Sequence, residues 1–288
     1  MGSLFSDMSK FGIELDDDME IFEDEKKEAP LAGAVTGPAE LKEEDYLLEK
    51  SAKCPLCDAP FKVKVVKNGK VKQIETDDVL RPVFKEMDAN KYNVTVCTVC
   101  GYATLNNAFK PLPAAQAKLI REKISANFNG SSFLTDDPTY SYDMAVERYK
   151  LALINSVVKK GRISERANIC LRAGWVVRGK RLSLNPSDPK YKAKEMECMK
   201  QEDEFFKNAL DGFVKATMTE DYPMCGMDES TVDFLITNLA IHFKKYDLAS
   251  KTIARLLSSP STNRRIKDKA YDLKEQVVAE IKKQKSQQ

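Results

Sequence analysis

Histidine is almost missing from this sequence of 288 residues: His242 is the only one, and Trp175 is the only tryptophan. A single imidazole excludes histidine-rich metal sites and leaves most histidine-dependent triads without a candidate, since no partner for His242 is recognisable in its local sequence. No apolar run approaches the roughly 18 residues of a membrane span, and no basic segment precedes an apolar leader core. There is no glycine-rich phosphate loop, no HExxH and no GxSxG elbow. These absences lead to the expectation of a cytoplasmic protein that is not an enzyme and does not engage a membrane. The cysteines number seven, an odd count that argues against a complete disulfide framework and fits a reducing compartment. Hydrophobic residues make up 42% and charged residues 31%, enough apolar material to bury a core.

Four of the cysteines fall in two pairs, Cys54-Pro55-Leu56-Cys57 and Cys97-Thr98-Val99-Cys100, separated by 39 residues. Soft thiolates at this spacing suit a tetrahedral zinc site. Gly101 frees the backbone just past the second pair. Four protein ligands leave no open coordination position, so the expected role of Zn2+, one per chain, is structural. A thioredoxin-like redox motif is the rival reading. It requires a CxxC that opens a helix in a βαβ context, and neither pair stands in that setting. The other cysteines read differently: Cys170 and Cys198 lie on or near apolar helix faces, and Cys225 lies in a turn and is expected to be exposed.

Net charge is only +2, but it is unevenly distributed. Residues 1–50 carry 5 basic and 15 acidic side chains, whereas residues 140–288 carry 28 and 20. A basic body therefore follows an acidic arm. The arm, residues 1–44, interleaves Phe5, Met8, Phe11, Ile13 and Phe22 with acidic blocks and reads as disordered. It suits a segment that folds on a partner, a solvating tail, or a cover for a basic face of the same chain.

Residues 45–111 read as an antiparallel zinc ribbon. Phe61–Val66 and Lys70–Ile74 flank Asn68-Gly69, a strong hairpin signal. A three-residue loop over Lys67–Gly69 pairs Val65 with Val71, placing Phe61, Val63, Val65 and Val71 on one face. Lys62, Lys64, Lys70 and Lys72 then share the other. That face is either solvated edge protection or an anion site for nucleic acid or an acidic partner. A third strand, Tyr92–Val96, runs into Cys97.

Residues 112–288 read as helices over Leu112–Phe128, Tyr140–Val158, Ile163–Arg181, Tyr191–Thr219 and Asp228–Phe243, a partner ending near Ser258, and a last helix beyond Pro260. The pattern around Tyr246 and Ala249 resembles a tetratricopeptide unit without a clean repeat. The expected fold class is α+β: a small zinc ribbon followed by an all-α, tetratricopeptide-like domain.

Lys53–Cys57, the run Tyr92–Cys97, Cys100-Gly101-Tyr102-Ala103 and Arg264–Asp268 together resemble the uncharacterised bacterial domain-of-unknown-function family 2225. The resemblance covers roughly residues 50–283, with Thr98 standing where proline is expected. It implies a bacterial cytoplasmic protein with a metal-binding ribbon on Cys54, Cys57, Cys97 and Cys100 and tetratricopeptide-like helices, but no activity. The leading expectation is a non-enzymatic zinc-binding scaffold whose helices bind a protein. The alternative is nucleic-acid binding through the lysine face, and a CxxC redox enzyme ranks third.

Overall fold

The computed structural model describes residues 41–286, and from Lys42 onward the chain packs as one unit. Among the described residues there are six short strands, β1 (Leu47–Lys53), β2 (Pro60–Val66), β3 (Gln73–Thr76), β4 (Pro82–Phe84), β5 (Val94–Val96) and β6 (Ala103–Leu105). Seven helices follow: α1 (Ala114–Lys123), α2 (Tyr142–Val158), α3 (Ile163–Leu182), α4 (Tyr191–Ala216), α5 (Glu229–His242), α6 (Tyr246–Ser258) and α7 (Arg264–Ser286). The architecture is α+β, with the strands confined to two-stranded antiparallel sheets.

The sheets are three consecutive hairpins, β1–β2, β3–β4 and β5–β6, which corrects the expected strand pairing. Gly69 does take the left-handed backbone, at φ +69°, and the turn at Lys67–Lys70 forms. The chain beyond that turn does not return along β2. The available edge of β2 is taken by β1 in a seven-residue register that sets Leu48 opposite Val65 and Lys53 opposite Pro60. A full-length ladder satisfies more backbone groups than the expected short hairpin could. Val71 therefore packs elsewhere, against a small cluster around Leu47, Met87, Tyr92 and Tyr140. Phe61 and Val63 alternate inward along β2 as expected, and they join Ile120 of α1 and Ile124 just past its end.

The β3–β4 turn is fastened to the helices. Leu80 adopts φ +60°, while the Asp77 carboxylate accepts the N–H groups of Val79 and Arg81 at 3.0 and 2.8 Å. This geometry drives Val79 into the helical core, where its carbonyl accepts the Trp175 indole N–H at 3.0 Å. Arg178 of α3 binds Asp77, Asp78 and Glu202 at 2.7 to 2.8 Å, so α3, α4 and the turn share one partly buried ion network.

Helices α2 to α7 pack largely on their sequence neighbours, most extensively α3 on α4. The expected buried side of α4 (Phe205, Phe206, Ala209, Leu210, Phe213) is buried throughout. Close approach of α3 and α4 depends on two glycines. A Cβ on Gly174 would meet the Phe206 ring at 2.4 Å, and one on Gly212 would meet the Ala167 Cβ at 2.8 Å. Burial of large side chains here, each worth about 1.5–3 kcal/mol, is the main stabilising contribution. Helix starts follow local chemistry: Ser141 caps α2 through the Met144 N–H and Asp228 caps α5 through the Thr231 N–H. The first helix is shorter than the expected Leu112–Phe128, because the chain beyond Lys123 turns to bring Phe128 over Gly101. The proposed arm lies, up to residue 40, outside the described residues. Glu43 near its end lies in a short turn, pairing with Lys91 at 2.6 Å and accepting the Tyr92 hydroxyl at 2.6 Å.

Candidate metal centre

Each CxxC pair forms the tip of its own hairpin, and the two tips are built alike. At the first, the Cys54 N–H donates to the Ala59 carbonyl and Asp58 N–H to the Cys54 carbonyl, at 3.0 and 2.9 Å. At the second, Cys97 N–H donates to Tyr102 and Gly101 N–H to Cys97, at 2.8 and 2.9 Å. The residue after the second cysteine is left-handed in both, Asp58 at φ +61° and Gly101 at φ +73°. Aspartate is one of the few non-glycine residues that tolerate this conformation. Glycine is required at the second tip for another reason too, since a Cβ there would stand 2.6 Å from the Phe128 ring.

These turns bring the sulfurs of Cys54, Cys57, Cys97 and Cys100 within 4.8 Å of one another. The Cys54–Cys100 and Cys57–Cys97 sulfurs lie 3.6 and 3.7 Å apart. A tetrahedron with metal–sulfur bonds of ~2.3 Å has edges of ~3.8 Å, so the donor set fits a single four-coordinate ion. Cys54, Cys97 and Cys100 are buried, whereas Cys57 faces solvent. Crowding splits the thiols. Hydrogen bonds from Cys100 and Cys54 pull Cys97 well down, while hydrogen bonding with Cys54 and Cys97 together with burial pushes Cys100 well up. Four thiolates this close repel without a cation between them, and a bound metal reverses that logic by deprotonating its ligands outright.

The helices hold the knuckles by their carbonyls. Arg121 of α1 donates to Leu56 O at 2.9 Å, Ser125 to Cys100 O at 2.8 Å, and Asn155 of α2 to Gly101 O at 2.9 Å. Tyr102 and Phe109 stack beneath, with ring centroids 5.2 Å apart. Sequence reasoning missed these three supporting residues. Between 25 and 65 residues separate each from its partner, and nothing local marks them.

The hairpin register expected to set Lys62, Lys64, Lys70 and Lys72 on one face does not form. Lys62 and Lys64 lie on β2, but Lys70 and Lys72 lie in the segment after it, unpaired with β2. Lys62 is bound to Glu49 at 2.7 Å, which raises its pKa. Lys64 donates to the Asp137 carbonyl and lies over the Tyr140 ring at 5.1 Å, and burial lowers its pKa. A common cationic face therefore depended on a strand register that does not form. Cys170 and Cys198 are buried, and Cys225 is exposed, as expected. His242 has a partner that its sequence neighbourhood concealed, Asp203 of α4, with Nε2 and Oδ1 2.6 Å apart.

With this geometry in place, the comparison with protein families is informative. The model of the family described as "Uncharacterized protein conserved in bacteria (DUF2225)" matches residues 47–277. The chain belongs to this family. The match takes in both hairpin tips and all seven helices, α7 up to its residue 277. No curated protein and no solved structure matches the chain. None of the helices among the described residues is long and apolar enough to cross a membrane.

Proposed function

We propose that this member of the DUF2225 family is a non-enzymatic, cytoplasmic interaction module in which one structural Zn2+ joins the hairpins and tetratricopeptide-like helical pairs bind another protein. The observation that carries this reading is the cluster of four cysteine sulfurs, held at the spacing of a tetrahedron's edges by two equivalent hairpin tips. Cys54, Cys57, Cys97 and Cys100 would hold the ion, whose charge would offset four thiolates that otherwise repel. All four positions are protein ligands, which favours a structural over a catalytic role. Neither CxxC opens a helix, which weighs against thioredoxin-like chemistry. The helical half supports the interaction reading through its stacked neighbours and the close α3–α4 approach at Gly174 and Gly212. The nucleic-acid alternative would need Lys62, Lys64, Lys70 and Lys72 to converge without the shared hairpin register.

Elemental analysis of untagged protein purified without chelator tests the metal, and a thiol-alkylation map is read alongside it. The expected result is about one zinc per chain with the four ligand cysteines protected. Iron in place of zinc would correct the metal, and a metal-free protein whose CxxC cycles between thiol and disulfide would overturn the reading. Affinity capture from the native host then tests the interaction role, which fails if no partner is retained specifically.

A further inference from the structure

The end of α2, the start of α3 and the last turns of α4 enclose an open groove of about 380 Å³. Its floor is Ile163, Ala167 and Cys170, an i, i+4, i+7 series along α3. Leu153 and Val157, one turn apart on α2, form an apolar wall, and Val157 is 52% exposed. Neighbouring Ile154 is 53% exposed and extends that apolar surface. The opposite wall on α4 carries Gly212, whose missing side chain keeps α4 close against Ala167. Two cations border the groove, Arg166 and Lys215. Among the described residues neither forms an ion pair; Arg166 makes only a 3.5 Å bond to the Arg162 carbonyl. The one carboxylate on the rim, Asp211, is already matched by Lys245 at 3.1 Å.

We infer that this groove docks an amphipathic helix of a partner protein, apolar on the face it buries and flanked by aspartate or glutamate. The inference rests on the interaction-module reading and gives it a location and a partner chemistry. The occupant follows from complementarity. An apolar floor between helices, with side chains repeating at i, i+3 and i+4, receives the stripe of another helix. The uncompensated Arg166 and Lys215 select acidic flanks and disfavour basic ones. An extended strand has no sheet edge to join here, and a phosphate backbone would leave the floor unfilled.

The test is fluorescence anisotropy on the full chain with a labelled helical peptide of roughly 16 residues, about four turns, bearing leucines on one face and glutamates beside them. A lysine-flanked counterpart serves as comparison. The glutamate peptide is expected to bind saturably, and Arg166→Glu with Lys215→Glu to weaken it at least ~10-fold while the lysine peptide gains. Val157→Asp is expected to remove binding and Val157→Leu to keep it. Val157 and Lys215 are exposed and Arg166 is half-buried at the rim, so circular dichroism and metal content should match the parent in every variant. No saturable binding of the glutamate peptide, or binding indifferent to the substitutions, overturns the inference. If a host protein is still captured specifically by the Arg166→Glu, Lys215→Glu variant, the groove assignment fails and the interaction reading survives. Failure of every capture removes the reading itself.

Discussion

The two ends of the molecule hold together by different means. The first hairpin, β1–β2, rests on a small cluster in which Leu56, Phe61 and Val63 meet Tyr102, Ile120 of α1 and Ile124 just beyond it. The helical half buries Phe206, Leu210, Phe213, Leu235 and Leu239 completely or nearly so in one continuous core. A few apolar side chains cannot offset the entropy of ordering a hairpin, which is where a metal contributes most. The second hairpin, β5–β6, falls between these cases. Its cysteines belong to the first cluster, while Val94, Val96, Ala103 and Leu105 belong to the helical core. The four-cysteine cluster therefore spans a weakly packed hairpin and one already anchored by α2, and an ion held there would tie the two together.

That contrast is most directly broken by removing a ligand. Cys54→Ser, or stripping the metal with a chelator, should abolish binding worth up to ~10–16 kcal/mol in zinc-finger peptides. Hydrogen exchange is expected to lose protection across residues 47–66 and to keep it across residues 94–105 and α3. Loss of protection in both hairpins together would mean that the metal, not α2, holds β5–β6. Next in size is Phe206→Ala, which opens a cavity in the helical core and should cost about 3–5 kcal/mol in urea unfolding followed by helical ellipticity. Metal content should not change.

Gly174→Ala tests the α3–α4 contact from the opposite direction, adding a methyl where the Phe206 ring stands 2.4 Å away. Overpacking of this kind costs about 1–3 kcal/mol, and combining it with Phe206→Leu should recover part of the loss. An additive double mutant would show that the ring is not the obstacle. The smallest effect is expected at the α5 cap, where Asp228→Ala should cost ~1 kcal/mol. Hydrogen bonds from Thr231 hold the Asp228 carboxyl below its usual value. Its contribution is therefore present above the unfolded-state pKa of roughly 4 and is lost as pH falls through the depressed folded value. The difference between parent and variant should shrink on acidification below that range; a constant difference would assign the loss to something other than the charge.

Local signals were read well wherever the determinant was local. The two CxxC spacings marked the sulfur cluster, Gly101 and Gly69 marked left-handed turns, and the burial of Phe205, Phe206 and Phe213 followed from helical spacing. Strand pairing was misjudged because Asn68-Gly69 does form a turn, while a competing segment, Leu47–Lys53, offered β2 a longer ladder. The His242–Asp203 pair was missed because it joins α5 to α4 across 39 residues.

The sequence by itself determined the two cysteine pairs, the α+β division and the apolar face of each long helix, since each depends on spacing within one segment. Only the tertiary structure decided which edge β2 pairs with and which helices grip the knuckle carbonyls. It also decided which lysines are engaged and where an apolar groove stays open beside unpaired cations. Those outcomes depend on competition between distant segments for the same hydrogen bonds and the same buried surface, and no local pattern records which competitor is nearer.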